Sequence, residues 1–128
     1  MTIRIVRLGT PRQSGEGLRI GTVRRPPRGV PKSAFASQNW YDVWLPNLAP
    51  SLALMKKGKA AATERDWALF AKGYRAEMAD PEKGRLLDLL AALSRTSDFS
   101  VGCYCAEESR CHRSVLRELL AGRGAEIS

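Results

Sequence analysis

The sequence contains no long apolar run, because charged residues interrupt its apolar stretches every few positions. Nothing in it approaches the roughly 18 consecutive apolar residues that a membrane-spanning helix needs. The first seven residues alternate apolar and basic side chains, and they lack the compact apolar region and the small-residue cleavage site of a signal peptide. We therefore expect a soluble, cytoplasmic protein with no membrane partner.

Cysteine and histidine are scarce, with 3 cysteines and 1 histidine among 128 residues. An odd number of cysteines in a protein expected in the reducing cytoplasm argues against a disulfide framework. The cysteines are therefore interpreted as free thiols or ligands. All three lie with the single histidine between positions 103 and 112, so any chemistry that they carry is concentrated in one short segment.

Acidic residues are almost absent from the first 32 positions, where eight basic residues face Glu16 alone. This part holds +7 of the formal charge of +8. A concentrated positive field attracts anions, for which phosphate-bearing ligands and nucleic acid are the usual candidates. The alternative is a solvated basic surface that only aids solubility.

The sequence also lacks internal repeats and low-complexity segments, and its length and 44% hydrophobic content suit one domain spanning residues 1–128. Apolar alternation predicts strands at 3–8 and 18–23, and a buried strand is predicted at 99–105. Helical spacing predicts helices from about Glu64 to Ala79, from Pro81 to Leu93, and from about His112 to Gly122 or Gly124. This order predicts an α/β fold with a small, mostly parallel sheet flanked by helices, in which the strand at 99–105 is central.

The remaining segments carry weaker signals. Prolines make residues 24–31 a rigid basic loop that cannot be regular helix. Residues 33–55 are predicted to be irregular and partly helical, with a short buried helical piece around Trp40, Tyr41, Trp44 and Leu45. Residues 125–127 are a candidate edge strand. Trp67, Phe70 and Tyr74 are expected to lie in the core.

The cysteine cluster suits a reaction or binding site. Strand alternation places Cys103 and Cys105 on the same side, near the strand end at which open α/β sheets bind ligands. The free N–H groups at the start of the next helix, together with Arg113, favour an anion and a thiolate at Cys105 or Cys111. His112 has the side chain whose ordinary pKa of about 6.5 suits proton transfer near neutrality.

Other interpretations of the same residues remain open. Buried cysteine is a common small apolar filler in strands, and Cys103 alone suits that role. Three cysteines and one histidine are also a recognised zinc ligand set, although the adjacent Cys111 and His112 are expected to have difficulty facing one ion. A cysteine that ends a strand and an arginine that begins the next helix are typical of phosphatase loops, but seven residues instead of five lie between Cys105 and Arg113.

The segment Cys103-Tyr-Cys-x5-Cys-His-Arg113 resembles the signature of the DUF488 family of small bacterial proteins, particularly its YeaO-like branch. The first loop departs from that branch, since Val23-Arg-Arg-Pro-Pro-Arg-Gly29 lacks an acidic residue and a tryptophan. The resemblance implies an α/β fold with a parallel sheet, and it implies that the arginine-rich loop lies near the Cys-His-Arg turn. It supplies no activity. Further matching positions are Arg7, Gly17, Arg19, Trp40, Leu48 to Ser51, Trp67, Phe70, Tyr74 and Glu77.

The leading hypothesis is a protein that binds an anionic, phosphate-containing small molecule or nucleic-acid end. Arg24, Arg28 and Arg113 hold the anion in this hypothesis. Cys105 or Cys111 then supplies a thiolate for a thiol-dependent reaction, and His112 moves protons. The alternatives are a metal- or iron–sulfur-binding regulatory module, and a general nucleic-acid-binding protein that uses its basic N-terminal third. The residues alone do not decide whether the chain is an enzyme, nor which cofactor it uses.

Overall fold

A sheet of four parallel strands forms the centre of the computed structural model, which describes residues 1–128. The strands are β1 (Ile3–Arg7), β2 (Leu18–Gly21), β3 (Val43–Trp44) and β4 (Phe99–Cys103), in the sheet order β1-β4-β2-β3. The helices are α1 (Leu52–Ala60), α2 (Glu64–Met78), α3 (Pro81–Leu93) and α4 (His112–Gly122). The predicted α/β fold with a parallel sheet is confirmed.

Strand β4 occupies a central position, between β1 and β2, and all five of its residues are buried. In the register of the sheet, Arg7 lies beside Cys103, and Gly21 lies beside Gly102. Because the strands are parallel, the carboxyl ends of β1, β2 and β4 meet at one edge of the sheet. Ligands of open α/β sheets bind at that edge.

The predicted helices α2, α3 and α4 are present, and α2 and α3 begin at the predicted caps. The Thr63 side chain accepts a hydrogen bond from the Asp66 N–H, and the Asp66 carboxylate accepts one from the Thr63 N–H, which completes a capping box. Asp80 caps α3 immediately before Pro81. Phe70 and Tyr74 of α2 are buried in the main core, as expected. None of the four helices has the length and apolar content needed to cross a membrane.

The structure corrects the predictions for residues 33–55. The expected buried helical piece is wrong, because Trp44 lies on the edge strand β3 with 43% of its surface exposed. Its indole N–H donates to the Val23 carbonyl at 2.7 Å. Helix α1, capped by Ser51, was not predicted, since lysines and a glycine interrupt its apolar residues. Strand β4 ends at Cys103, two residues early, and the expected edge strand is a single bridge between Ile3 and Ile127.

Candidate functional site

The turn between β4 and α4 carries the cysteines. The chain leaves the sheet after Cys103, makes a short 3-10 turn at Glu108–Arg110, and enters α4 with Cys111 at the N-cap. Two arginines of α4 hold this turn in place through their side chains. The Arg113 Nη2 donates to the Cys105 carbonyl at 2.6 Å, and Arg117 pairs with Glu108 at 2.7 Å.

The thiols of the three cysteines and the imidazole of His112 lie close together. The Sγ atoms of Cys103 and Cys105 are 3.7 Å apart, and the Cys111 Sγ is 3.7 Å from His112 Nδ1. The donor atoms of Cys103, Cys111 and His112 all lie within 4.8 Å of one another. Cys103, Cys111 and His112 are buried, whereas Cys105 is exposed.

Cys105 is the most acidic of the three thiols. A hydrogen bond from Cys103, together with the charge of Arg113, holds the pKa of Cys105 well below its ordinary value of 9.0. Hydrogen bonding to Cys105 raises the pKa of Cys103 to about 11, and the neighbouring thiols together with burial raise the pKa of Cys111. Among the two predicted nucleophiles, this arrangement favours Cys105 over the buried Cys111.

His112 is held in one tautomer. Its Nε2 lies 2.8 Å from the Thr22 carbonyl, which can only accept a hydrogen bond, so Nε2 carries the proton. Burial lowers the pKa of His112 to about 4, and the ring is therefore neutral at physiological pH. The lone pair of Nδ1 faces the Cys111 thiol. The proton partner of His112 within the chain is thus Cys111.

A cavity of about 920 Å³ opens over this cluster and is lined by Cys103, Cys105, Cys111 and His112. The loop at residues 24–28 forms one wall, and α1 and α2 contribute another. Six cationic side chains line the cavity, and no acidic residue does. These cations are Arg7, Arg24, Arg25, Arg28, Lys59 and Arg110.

No carboxylate of the chain neutralises the six cavity cations. The five ion pairs use other residues, namely Arg12, Arg19, Arg75, Arg117 and Arg123. The Arg24 guanidinium is fixed by the Ala49 and Pro50 carbonyls, each at 3.1 Å. Arg24 and Arg28 line the cavity, whereas Arg113 does not. The Arg113 side chain is buried under the turn, and its Nε has no hydrogen-bond partner.

Aromatic side chains complete the cavity. Trp40 packs edge-on against Tyr104 with ring centroids 5.9 Å apart, and Trp67 stacks on Phe70 at 4.9 Å. All four line the cavity, so Trp67 and Phe70 contact both the cavity and the hydrophobic core. The sequence prediction did not include Arg7 and Tyr104 among the site residues. Their positions at the carboxyl ends of β1 and β4 could have indicated that they line the site. Lys59 gave no comparable signal, because α1 was not predicted.

A scan against protein-family models matches residues 3–124 to a model described as "Active DUF488-N3 subclade". Neither the curated proteins nor the solved structures give a significant match. The matching model does not address the YeaO-like branch, and that finer placement stays a prediction. Since the match spans nearly the whole chain, the chain belongs to the DUF488 family.

Proposed function

We propose that the protein binds a phosphate-bearing small molecule or nucleic-acid end in this cavity, and that Cys105 attacks the bound ligand as a thiolate. The observation that carries the proposal is the composition of the cavity wall. Six cations surround three thiols and one histidine, with no carboxylate among the lining residues. Unneutralised cations that converge on one cavity favour an anion, and guanidinium groups suit phosphate oxygens in particular.

The cavity has the size and the lining of a small-molecule site. Its volume of about 920 Å³ lies within the roughly 300–1,000 Å³ that is usual for such sites. The arginines suit a charged group of the ligand, whereas Trp40 and Trp67 offer flat apolar surfaces to an uncharged part. A ligand with a phosphate and a ring, such as a nucleotide, satisfies both kinds of wall.

Cys105 is the group placed to react with such a ligand. It is the exposed thiol of the cluster, and it lines the cavity together with Arg110 and His112. In a thiol-dependent reaction its sulfur forms a bond to an electrophilic atom of the ligand, and the leaving group departs with the electron pair of the broken bond. The description of the matching subclade as active is in keeping with such a reaction centre.

Ligand-induced stabilisation tests the proposal. We expect the melting temperature to rise in the presence of inorganic phosphate, mononucleotides or short oligonucleotides, because a ligand that binds only the folded state stabilises it. The Arg28→Ala variant should lose most of this rise. Arg85→Ala is the matched control, since Arg85 is an exposed arginine of α3 outside the cavity. Unchanged melting temperatures with all three ligand types would contradict the proposal.

The salt dependence of binding separates the pocket from a general nucleic-acid surface. A protein that neutralises many phosphates of an extended strand loses affinity steeply as salt rises, with a slope of roughly 0.7–0.9 per phosphate contact. A ligand with one or two phosphates in the cavity should give a shallow slope. A steep slope with long oligonucleotides, together with no binding of mononucleotides, would contradict binding in the cavity and support general nucleic-acid binding by the basic surface.

A further inference from the structure

Four soft donor atoms lie together at the base of the cavity, and the thiol-nucleophile proposal uses only one of them. Three are thiol sulfurs and the fourth is the Nδ1 of His112. The donor atoms of Cys103, Cys111 and His112 lie within 4.8 Å of one another, and the Cys105 Sγ lies 3.7 Å from the Cys103 Sγ. We propose that Cys103, Cys105, Cys111 and His112 bind a thiophilic divalent cation of the zinc class. This inference goes beyond anion binding and does not depend on it, because the cation uses the thiols while the anion uses the cavity arginines.

Two of the donor separations in this cluster match the edges of a tetrahedral site. Zinc binds thiolate sulfur at about 2.3 Å and imidazole nitrogen at about 2.0–2.1 Å, which makes the edges of its tetrahedron about 3.5–3.8 Å long. Cys103 Sγ and Cys105 Sγ are 3.7 Å apart, and Cys111 Sγ and His112 Nδ1 are also 3.7 Å apart. The adjacent Cys111 and His112 thus direct their donor atoms to one point, contrary to the expectation from their spacing.

The histidine is prepared for this role by its tautomer. The hydrogen bond from Nε2 to the Thr22 carbonyl, at 2.8 Å, leaves the proton on Nε2 and the lone pair on Nδ1. Histidines that bind a metal usually donate their other ring N–H to a carbonyl or carboxylate in this way. The carbonyl of Thr22 belongs to the segment after β2, so the sheet itself orients the ring.

The exposure of the four groups describes a site with one open side. Cys103, Cys111 and His112 are each at most 6% exposed, whereas Cys105 faces the cavity. The cation enters from the cavity and displaces the thiol protons to solvent as the sulfurs coordinate it. The sulfur of Cys105 is then bound to the metal, so a metal-loaded site and a free Cys105 nucleophile exclude each other.

Cobalt and zinc titrations of the full-length, chelator-treated and reduced protein test the inference. We expect one equivalent of Co²⁺ to give the intense visible bands of tetrahedral thiolate coordination, and one equivalent of Zn²⁺ to abolish them. Cys105→Ser should weaken Zn²⁺ binding at least about tenfold. Glu107→Gln is the matched control, because it removes an exposed carboxylate of the same turn and should leave the affinity unchanged.

Three results would overturn the cation site. These are the absence of stoichiometric binding, a spectrum of octahedral cobalt, and equal affinity of the Cys105→Ser variant and the unaltered protein. Alkylation gives an independent readout, since Zn²⁺ should protect Cys105 from iodoacetamide and a chelator should restore its modification. Stoichiometric metal binding without a phosphate-induced rise in melting temperature would support the cation site and contradict the anion site, and the reverse pattern would do the opposite.

Discussion

The three cysteines differ in thiol reactivity because the fold places them in different surroundings. Cys103 ends a fully buried strand, and Cys111 sits at the buried N-cap of α4. Cys105 stands between them on the exposed turn, where it accepts a hydrogen bond from the Cys103 thiol. Its exposure and its hydrogen bonding therefore both make Cys105 the most reactive of the three thiols.

Alkylation of the native, metal-free protein should modify one cysteine much faster than the other two. We expect a single iodoacetamide adduct that peptide mass spectrometry assigns to Cys105, because Cys103 is 6% and Cys111 is 2% exposed. The Cys105→Ser variant should lose the fast adduct. An adduct on Cys103 or Cys111 at a comparable rate would show that the cluster is more open than the structure indicates.

The most deeply buried ion pair, between Glu16 and Arg19, lies beside β4 and outside the cavity lining. Glu16 accepts hydrogen bonds from Arg19 Nε at 2.7 Å and Arg19 Nη2 at 2.9 Å, and the Ser100 hydroxyl donates to it at 2.9 Å. Burial alone raises the pKa of Glu16, but these hydrogen bonds outweigh it and hold the pKa below 4.5. The pair ties the loop before β2 to the central strand.

Replacement of Glu16 by glutamine should destabilise the fold by about 3–5 kcal/mol, since it leaves the charge of Arg19 buried without a partner. A carboxylate whose pKa is lower in the folded state stabilises the fold at high pH, and this stability disappears as pH falls below about 4.5. Urea unfolding of the unaltered protein should therefore show a free energy that decreases below that pH. The Glu16→Gln variant should show a smaller decrease. Equal slopes would contradict the account of this pair.

Helices α1 and α2 pack closely against each other because Gly58 of α1 has no side chain. A Cβ atom at Gly58 would lie 2.8 Å from the ring of Phe70, which is 5% exposed and cannot move freely. Phe70 stacks on Trp67, and both line the cavity. The position of this cavity wall therefore depends on Gly58.

The Gly58→Ala substitution should destabilise the protein by about 1–3 kcal/mol, because overpacking outweighs the gain in helix propensity. Gly122→Ala provides the matched control at the end of α4, where a Cβ atom meets nothing within 4 Å. It should stabilise by up to about 1 kcal/mol. Thermal unfolding measures both changes, and a stable Gly58→Ala protein would contradict the close packing of α1 against α2.

Some elements could be predicted from the sequence and others could not. Helices α2 and α3 follow from caps and apolar spacing, since Thr63 and Asp80 precede clear stripes of buried residues. Helix α1 buries only Leu54 and carries lysines around it, so no stripe marked it. Strand β3 has only two residues, both exposed, and its pairing with β2 depends on tertiary structure instead of local pattern.

The parallel sheet assembles the cavity from segments that are distant in the sequence. The turn at 103–113 was predicted as a site because its cysteines, histidine and arginine stand together in sequence. The sheet order adds Arg7 from the end of β1 and Arg25 from the loop after β2, a loop whose Arg24 and Arg28 were already predicted to hold the anion. The contribution of Lys59 could not be predicted, because it depends on how α1 packs over the sheet edge.

Amide chemical shifts locate the anionic ligand that we propose for this cavity. A titration of ¹⁵N-labelled protein with a mononucleotide should shift the amides of residues 24–30, without the prolines, and of residues 103–113. The exposed amides of α3, which contribute nothing to the cavity, should stay unchanged. Absence of shifts, or shifts confined to basic surfaces outside the cavity, would contradict the account.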